Sequence, residues 1–155
     1  MKSISNIWKI RYLQLAKQIS TWSKDPSTKV GAVCVGEYGH ILAQGYNGFP
    51  RGFSDNIEEY NNRELKYKYV VHAEMNCLYH ATINGLSLKD STMFIYGLDM
   101  CHECAKGIIQ SGIKEVVTCY KPTSGSNWKE SFILTKEILH RGGVKHEKIN
   151  YESIS

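Results

Sequence analysis

A chain of 155 residues with 42% hydrophobic content can build one core and has too little apolar material for a second, so a single domain over residues 1–155 is expected. Nineteen basic against 15 acidic residues leave a formal charge of +4, too mild to establish nucleic-acid binding but compatible with an anionic ligand. There is no signal-peptide pattern and no apolar run near the about 18 residues of a membrane span, and five cysteines are an odd count for a disulfide scaffold; a reduced, cytoplasmic protein is expected.

In chain order, apolar residues at Ile7, Trp8, Leu13, Leu15, Ala16 and Ile19 predict a helix over Ile7 to Trp22 that stops before Pro26. Lys29 to Val35 and Ile41 to Tyr46, separated by turn residues, predict a hairpin. A glycine-rich loop, Asn47 to Asn56, follows. Val70 to Ile83 predicts a helix carrying His72 and Glu74 in its first part, and Thr92 to Gly97 a strand that delivers Cys101. Residues 101 to 111 read as helix ended by Gly112, Val116 to Tyr120 as strand, and Asn127 to Leu139 as helix closed by Arg141-Gly142-Gly143. The two ends, Met1 to Ser5 and Asn150 to Ser155, are expected to fray. This alternation argues for a mixed sheet covered by helices, an α/β fold built in layers.

Two short motifs carry chemistry. His72-Ala73-Glu74 and Cys101-His102-Glu103-Cys104 offer one imidazole and two thiolates, and C-x-x-C at a helix start aims both sulfurs at one point. Three protein ligands leave the fourth corner of a zinc tetrahedron open for water, whereas a structural zinc is closed by four. Glu74 is then a spare carboxylate, close enough to move protons. The alternatives are a redox C-x-x-C pair, or a structural zinc closed by Cys77, Cys119 or His80.

At these residues the chain resembles the zinc-dependent cytidine and deoxycytidylate deaminase superfamily, whose signature is H-x-E followed by P-C-x-x-C. Ser23-Lys24-Asp25-Pro26, Lys29 to Ala32, Gly45 to Gly52, His72 to Asn76, Cys104-Ala105-Lys106 and Ile108 to Val116 are similar in order to its deoxycytidylate deaminase branch, over about Ile7 to Val144. One departure stands out: Met100 occupies the place of the signature proline, so the turn before Cys101 loses a fixed φ. The stiffness of the site is expected to change more than its metal binding.

The resemblance implies a three-layer α/β/α sandwich around a mixed five-stranded sheet, one strand more than the four read above. It implies hydrolysis of dCMP to dUMP and ammonia, with Zn²⁺ on His72, Cys101 and Cys104 and Glu74 as proton carrier. Asn47 would bind the sugar or base, although a turn asparagine in Asn-Gly has its own reason to be there. The carbonyl of Ala73 would accept from the amine, and Lys24 and Tyr120, beside Lys121, are candidates for the phosphate. Gly48, Phe49, Arg51 and Gly52 would belong to an allosteric site for dCTP (activating) or dTTP (inhibiting) with Mg²⁺, at a boundary between subunits of a homo-oligomer, a hexamer by similarity. The aromatic and basic segment Tyr60 to Tyr69, with Arg63, Lys66 and Lys68, is expected to face a neighbouring subunit or the effector. Competing readings are a deaminase acting on polynucleotide, for which Lys145-His146-Glu147-Lys148 is too short a basic track, turnover of dCTP as a second substrate, and a non-catalytic zinc domain, for which Glu74 would be superfluous.

Overall fold

The computed structural model of the protein describes residues 3–121 and 129–155, apart from the side chain of Lys129. Its centre is a sheet in which β1 (Gly31–Val35) lies between β2 (Ile41–Tyr46) and β3 (Thr92–Tyr96), followed by β4 (Glu115–Cys119) and β5 (Lys145–Lys148). β1 is antiparallel to both neighbours, while β3, β4 and β5 run parallel. This is the mixed five-stranded sheet that the resemblance implied.

Every residue of β1 is buried, so the strand reads as an unbroken apolar run rather than an alternating one. The side chains still alternate in space. Ala32 and Cys34 join Met93, Ile95 and Val116 in one core, and Val33 and Val35 join Phe94, Val117 and Cys119 in the other. The first core is covered by α4 (Ala73–Ile83), α5 (His102–Gln110) and α6 (Lys129–Arg141) through Cys77, Leu78, Ile108 and Leu139. The second is covered by α1 (Asn6–Ser20) through Tyr12, Leu13, Ala16 and Ile19. The result is a three-layer α/β/α sandwich.

Ser5 starts α1 by accepting from the Trp8 N–H at 3.4 Å, and the helix ends at Ser20, two residues earlier than its apolar period suggested. The hairpin strands lie where expected, with an irregularity between Cys34 and Val35. Two short helices, α2 (Ile57–Asn61) and α3 (Arg63–Tyr69), occupy the segment between hairpin and α4; Asn56 and Asn62 cap them. The expected helix start at Val70 is corrected. Val71 is extended and exchanges hydrogen bonds of 2.8 and 3.1 Å with Gly48, so α4 begins only after His72. The start expected at Asn127 lies outside the described residues. The sequence reading also missed β5, because Lys-His-Glu-Lys has no apolar residue to mark it as strand. As the sheet edge it shows no fully buried side chain, and charged residues there discourage edge pairing. The C-terminus does not fray as expected: Tyr151–Ile154 forms a 3₁₀ turn that buries Ile154 against α1.

Candidate active site

The N-termini of α4 and α5 meet beside the sheet, and close packing brings them there. A Cβ on Gly45 of β2 would fall 2.4 Å from the Cys77 nitrogen and 2.6 Å from the Ala73 carbonyl, so only glycine lets the strand press against the first turn of α4. Asn76 fastens the same turn by donating to the Tyr46 carbonyl at 2.8 Å. Between the helices, a Cβ on Gly107 would meet Met75 Sδ at 3.1 Å and Leu78 Cδ1 at 3.2 Å. Small residues at these crossings set the distance between the two helix starts.

His72 is the N-cap of α4 and Cys101 the N-cap of α5, each with extended backbone, and neither spends its side chain on capping. Both side chains turn toward each other. His72 Nδ1 is 3.4 Å from Cys101 Sγ and 3.4 Å from Cys104 Sγ, and the two sulfurs are 3.4 Å apart. Tetrahedral zinc with ordinary ligand lengths needs about 3.6 Å between nitrogen and sulfur and about 3.8 Å between sulfurs, so the triangle fits after a slight expansion. The Cys104 thiol and His72 pull the Cys101 thiol down to about 4, while that same contact and burial push Cys104 far up, so the pair holds one negative charge unless a cation joins it. The hydrogen bond to Cys101 likewise raises His72 above its ordinary value.

Among the described residues these three are the only group of this kind that could hold a metal ion. Among the described residues no fourth protein ligand closes the site. Cys77 contacts the Cys34 thiol, His80 Nδ1 lies 3.1 Å from the backbone of Gln44, and Cys119 belongs to the core on the other sheet face. The closed structural zinc is therefore excluded for these residues. Glu74, 4% exposed, sits in the first turn of α4; burial pushes its carboxyl up to about 7, with the nearby Cys101 charge adding to the rise.

The triangle opens on a cavity of about 440 Å³ whose wall includes His72, Ala73, Glu74, Asn47, Asp99 and Cys101. Asn47 is tied to the loop before β1: its Oδ1 accepts from the Val30 N–H at 2.9 Å and its Nδ2 donates to the Thr28 carbonyl at 2.8 Å. One amide N–H and one lone pair remain beyond those bonds. The expected phosphate groups lie elsewhere. Lys24 is exposed and paired with Asp55 at 2.6 Å, outside the cavity wall. Tyr120 stands one residue behind the wall, donating to Asp99 Oδ2 at 3.3 Å.

The cations on the wall are Arg63 and Lys66 of α3, beside Tyr60 and Tyr67. The segment expected to face a neighbouring subunit or an effector thus lines the cavity of the triangle. Lys66 Nζ donates to Asp25 Oδ1 at 3.1 Å and to Ser27 Oγ at 2.8 Å, and lies 3.0 Å from Asp25 Oδ2 as a charge contact without hydrogen-bond geometry. Burial opposes ionisation of Asp25, but the Ser27 and Thr28 N–H groups and Lys66 outweigh it and hold its carboxyl below the usual range. Arg63 Nε donates to the Tyr67 hydroxyl at 3.0 Å. Two signals could have found these residues. Arg63, Lys66 and Tyr67 share one face at i, i+3 and i+4 spacing, and Asp25-Pro26-Ser27-Thr28 has the pattern of an Asx turn. Asp99 gave no signal.

A second concavity, about 330 Å³, is lined by residues of β2 and α4 and by the loop after β2, among them Gln44, Gly48, Phe49, Arg51, Asn76 and His80. Phe49 stacks on Tyr60 with ring centres 3.9 Å apart, and Tyr60 also belongs to the first cavity, so one aromatic pair lies between the two. Gly52, with φ of +87°, is not part of its lining.

Comparison with known proteins agrees with this geometry. The family described as "Cytidine and deoxycytidylate deaminase zinc-binding region" matches residues 6–120. The deoxycytidylate deaminase of Mus musculus is 40% identical over 115 residues, 71% of this chain, which spans 63% of that enzyme's length. The deoxycytidylate deaminase of Enterobacteria phage T2 is 30% identical, over 92% of this chain and 94% of its own. The crystal structure of dCMP deaminase from the cyanophage S-TIM5 in complex with dCMP and dUMP superposes with a TM-score of 0.74 at 28% identity, covering 95% of this chain and all of that one. With its H-x-E and C-x-x-C residues gathered at one open triangle, the chain belongs to the cytidine and deoxycytidylate deaminase family.

Proposed function

We propose that the protein is a single-domain, cytoplasmic enzyme that hydrolyses dCMP to dUMP and ammonia, supplying dUMP for thymidylate synthesis. The observation that carries this reading is one cavity with the His72–Cys101–Cys104 triangle and buried Glu74 on one side and Arg63 and Lys66 on another. A zinc ion held by the triangle would supply Lewis acidity, bringing water to a reactive, deprotonated form near neutral pH. Glu74 would take one proton from the attacking water and deliver it to the ring nitrogen next to the carbon under attack, then take the second proton from the added hydroxyl and pass it to the amine, which leaves as ammonia as the C–N bond breaks. A carboxyl that titrates near neutrality suits a group that must both accept and release a proton. The Ala73 carbonyl and Asn47 amide are the wall groups able to hold the amine and the sugar or base, and Lys66 with Arg63 supplies the positive charge for the 5′-phosphate. This replaces Lys24 and Tyr120 in that role.

Regulation belongs to the same proposal. Gly48, Phe49 and Arg51 at the second concavity, with Gly52 beside them, form the site for dCTP or dTTP with Mg²⁺ in a homo-oligomer, a hexamer by similarity. The Phe49–Tyr60 stack is the contact through which it would reach the catalytic cavity. The test is ammonia release by the zinc-loaded protein from dCMP, deoxycytidine, dCTP and a cytidine-containing oligonucleotide, each with and without dCTP or dTTP and Mg²⁺. Turnover of dCMP well above the others is expected, raised by dCTP and lowered by dTTP. Silence on dCMP with zinc bound refutes the activity, and equal rates with and without effectors refute the regulation alone.

A further inference from the structure

Cys101 is an N-cap residue, so the helical hydrogen-bond ladder that fixes Cys104 does not fix its φ and ψ. Its position depends on the peptides on either side. The carbonyl of Met100, in the peptide before it, accepts from Thr135 Oγ1 at 2.8 Å, and the N–H of His102, in the peptide after it, donates to Ser131 Oγ at 3.3 Å. Ser131 and Thr135 lie one turn apart on α6 and present two hydroxyls on one face. His102 Nδ1 adds a 3.0 Å contact to the same Ser131 hydroxyl. On the other side, Asp99 Oδ1 accepts from the Met100 N–H at 2.9 Å, while Tyr120 donates to Oδ2 at 3.3 Å and His146 Nε2 stands 3.7 Å from Oδ1. Asp99 is 4% exposed, and Met100 and Thr135 are fully buried.

We infer that Asp99, Ser131 and Thr135 are positioning residues for Cys101, which together hold it where a proline at position 100 would otherwise stiffen the turn. The Asp99 bond exists only because Met100 has an N–H; proline has none and would fix φ covalently instead. The lost rigidity expected from Met100 is thus restored by hydrogen bonds from neighbouring elements. This inference rests on Cys101 being a metal ligand. Groups that orient a ligand typically govern metal affinity by about 10–100-fold.

The experiment follows zinc transfer from the full-length protein to a chromogenic chelator, together with the absorption spectrum of the Co²⁺-substituted protein. Thr135→Val and Asp99→Ala, each verified as folded by near-ultraviolet circular dichroism, should release zinc about tenfold faster and broaden the Co²⁺ bands. Ser131→Ala, which deletes one hydroxyl only, provides the mildest version should either of the others fold poorly. Asp99→Asn keeps an acceptor for the Met100 N–H and should behave like the native protein, and adding Met100→Pro to Asp99→Ala should restore slow release. Unchanged release and spectra in Thr135→Val, Asp99→Ala and Ser131→Ala overturn the inference, as does release that is equally fast in Asp99→Ala, in Asp99→Asn and in the double variant with Met100→Pro, since that pattern reports general loosening. Cys101→Ser separates the two levels: if it leaves zinc retention unchanged, the metal reading itself has failed.

Discussion

Replacing Lys66 with methionine tests the fold and the substrate reading together. The ammonium is largely buried beside Asp25, whose side chain is 1% exposed, and Asp25 Oδ2 has Lys66 as its opposite charge while Oδ1 keeps the Ser27 N–H and hydroxyl and the Thr28 N–H. Removing one member of a buried pair costs about 3–5 kcal/mol, and the donors left on Oδ1 bring this toward about 2–3 kcal/mol. For a chain of this size that lowers Tm by about 5–10 °C. Loss of a charge-assisted bond to phosphate, about 1.5–3 kcal/mol, should reduce kcat/KM for dCMP about 10–150-fold and leave deoxycytidine nearly untouched. The assays are calorimetry and ammonia release from the two substrates. Adding Asp25→Asn to Lys66→Met should recover much of the Tm without recovering dCMP turnover. Equal losses on dCMP and deoxycytidine would refute the phosphate role, and an unchanged Tm would refute the ion pair as a support of the cavity wall.

Glu74→Gln should keep zinc, measured by elemental analysis, while kcat falls about 10²–10⁴-fold; a smaller loss would remove Glu74 from proton transfer. Gly107→Leu should wedge α4 from α5 at Met75 and Leu78, destabilise by about 1–3 kcal/mol in denaturant melts and weaken zinc retention; a neutral effect would mean that helix separation does not set the triangle. Because Asp25 is held below its unfolded value of about 4, its contribution is fully present above that pH and is lost as pH falls through the folded value. The stability difference between the native protein and Asp25→Asn, from melts between about pH 7 and pH 3, should therefore shrink toward the acid end. A constant difference would refute the depressed pKa.

Much of this protein was legible in the order of its residues. Apolar period placed α1, the hairpin, β3, α5 and β4 within a few residues, because each buries a continuous stretch or face whose spacing is written locally. The candidate site was legible for the same reason: His72, Glu74, Cys101 and Cys104 stand in pairs two and three residues apart at helix starts, so short motifs carry them. What failed were features without a local signature. The edge strand β5 has no apolar face, and the helices α2 and α3 are held by asparagine caps and an aromatic cluster rather than by an amphipathic period.

Chain order and residue type alone pointed to the layered α/β class, the His72, Cys101 and Cys104 set and the carboxyl two residues after the histidine, while the placement of Cys77, Cys119 and His80 away from that set came from the tertiary structure. Tertiary structure decided which charges meet the site. Lys24 and Lys66 look equivalent in sequence, yet one pairs with Asp55 at the surface and the other reaches the cavity wall through Asp25, 41 residues away in the chain. It also decided how Cys101 is held, since Thr135 lies 35 residues beyond the carbonyl it binds. Such pairings follow from how helices pack on the sheet, and that packing depends on the shape of the whole core rather than on any one segment.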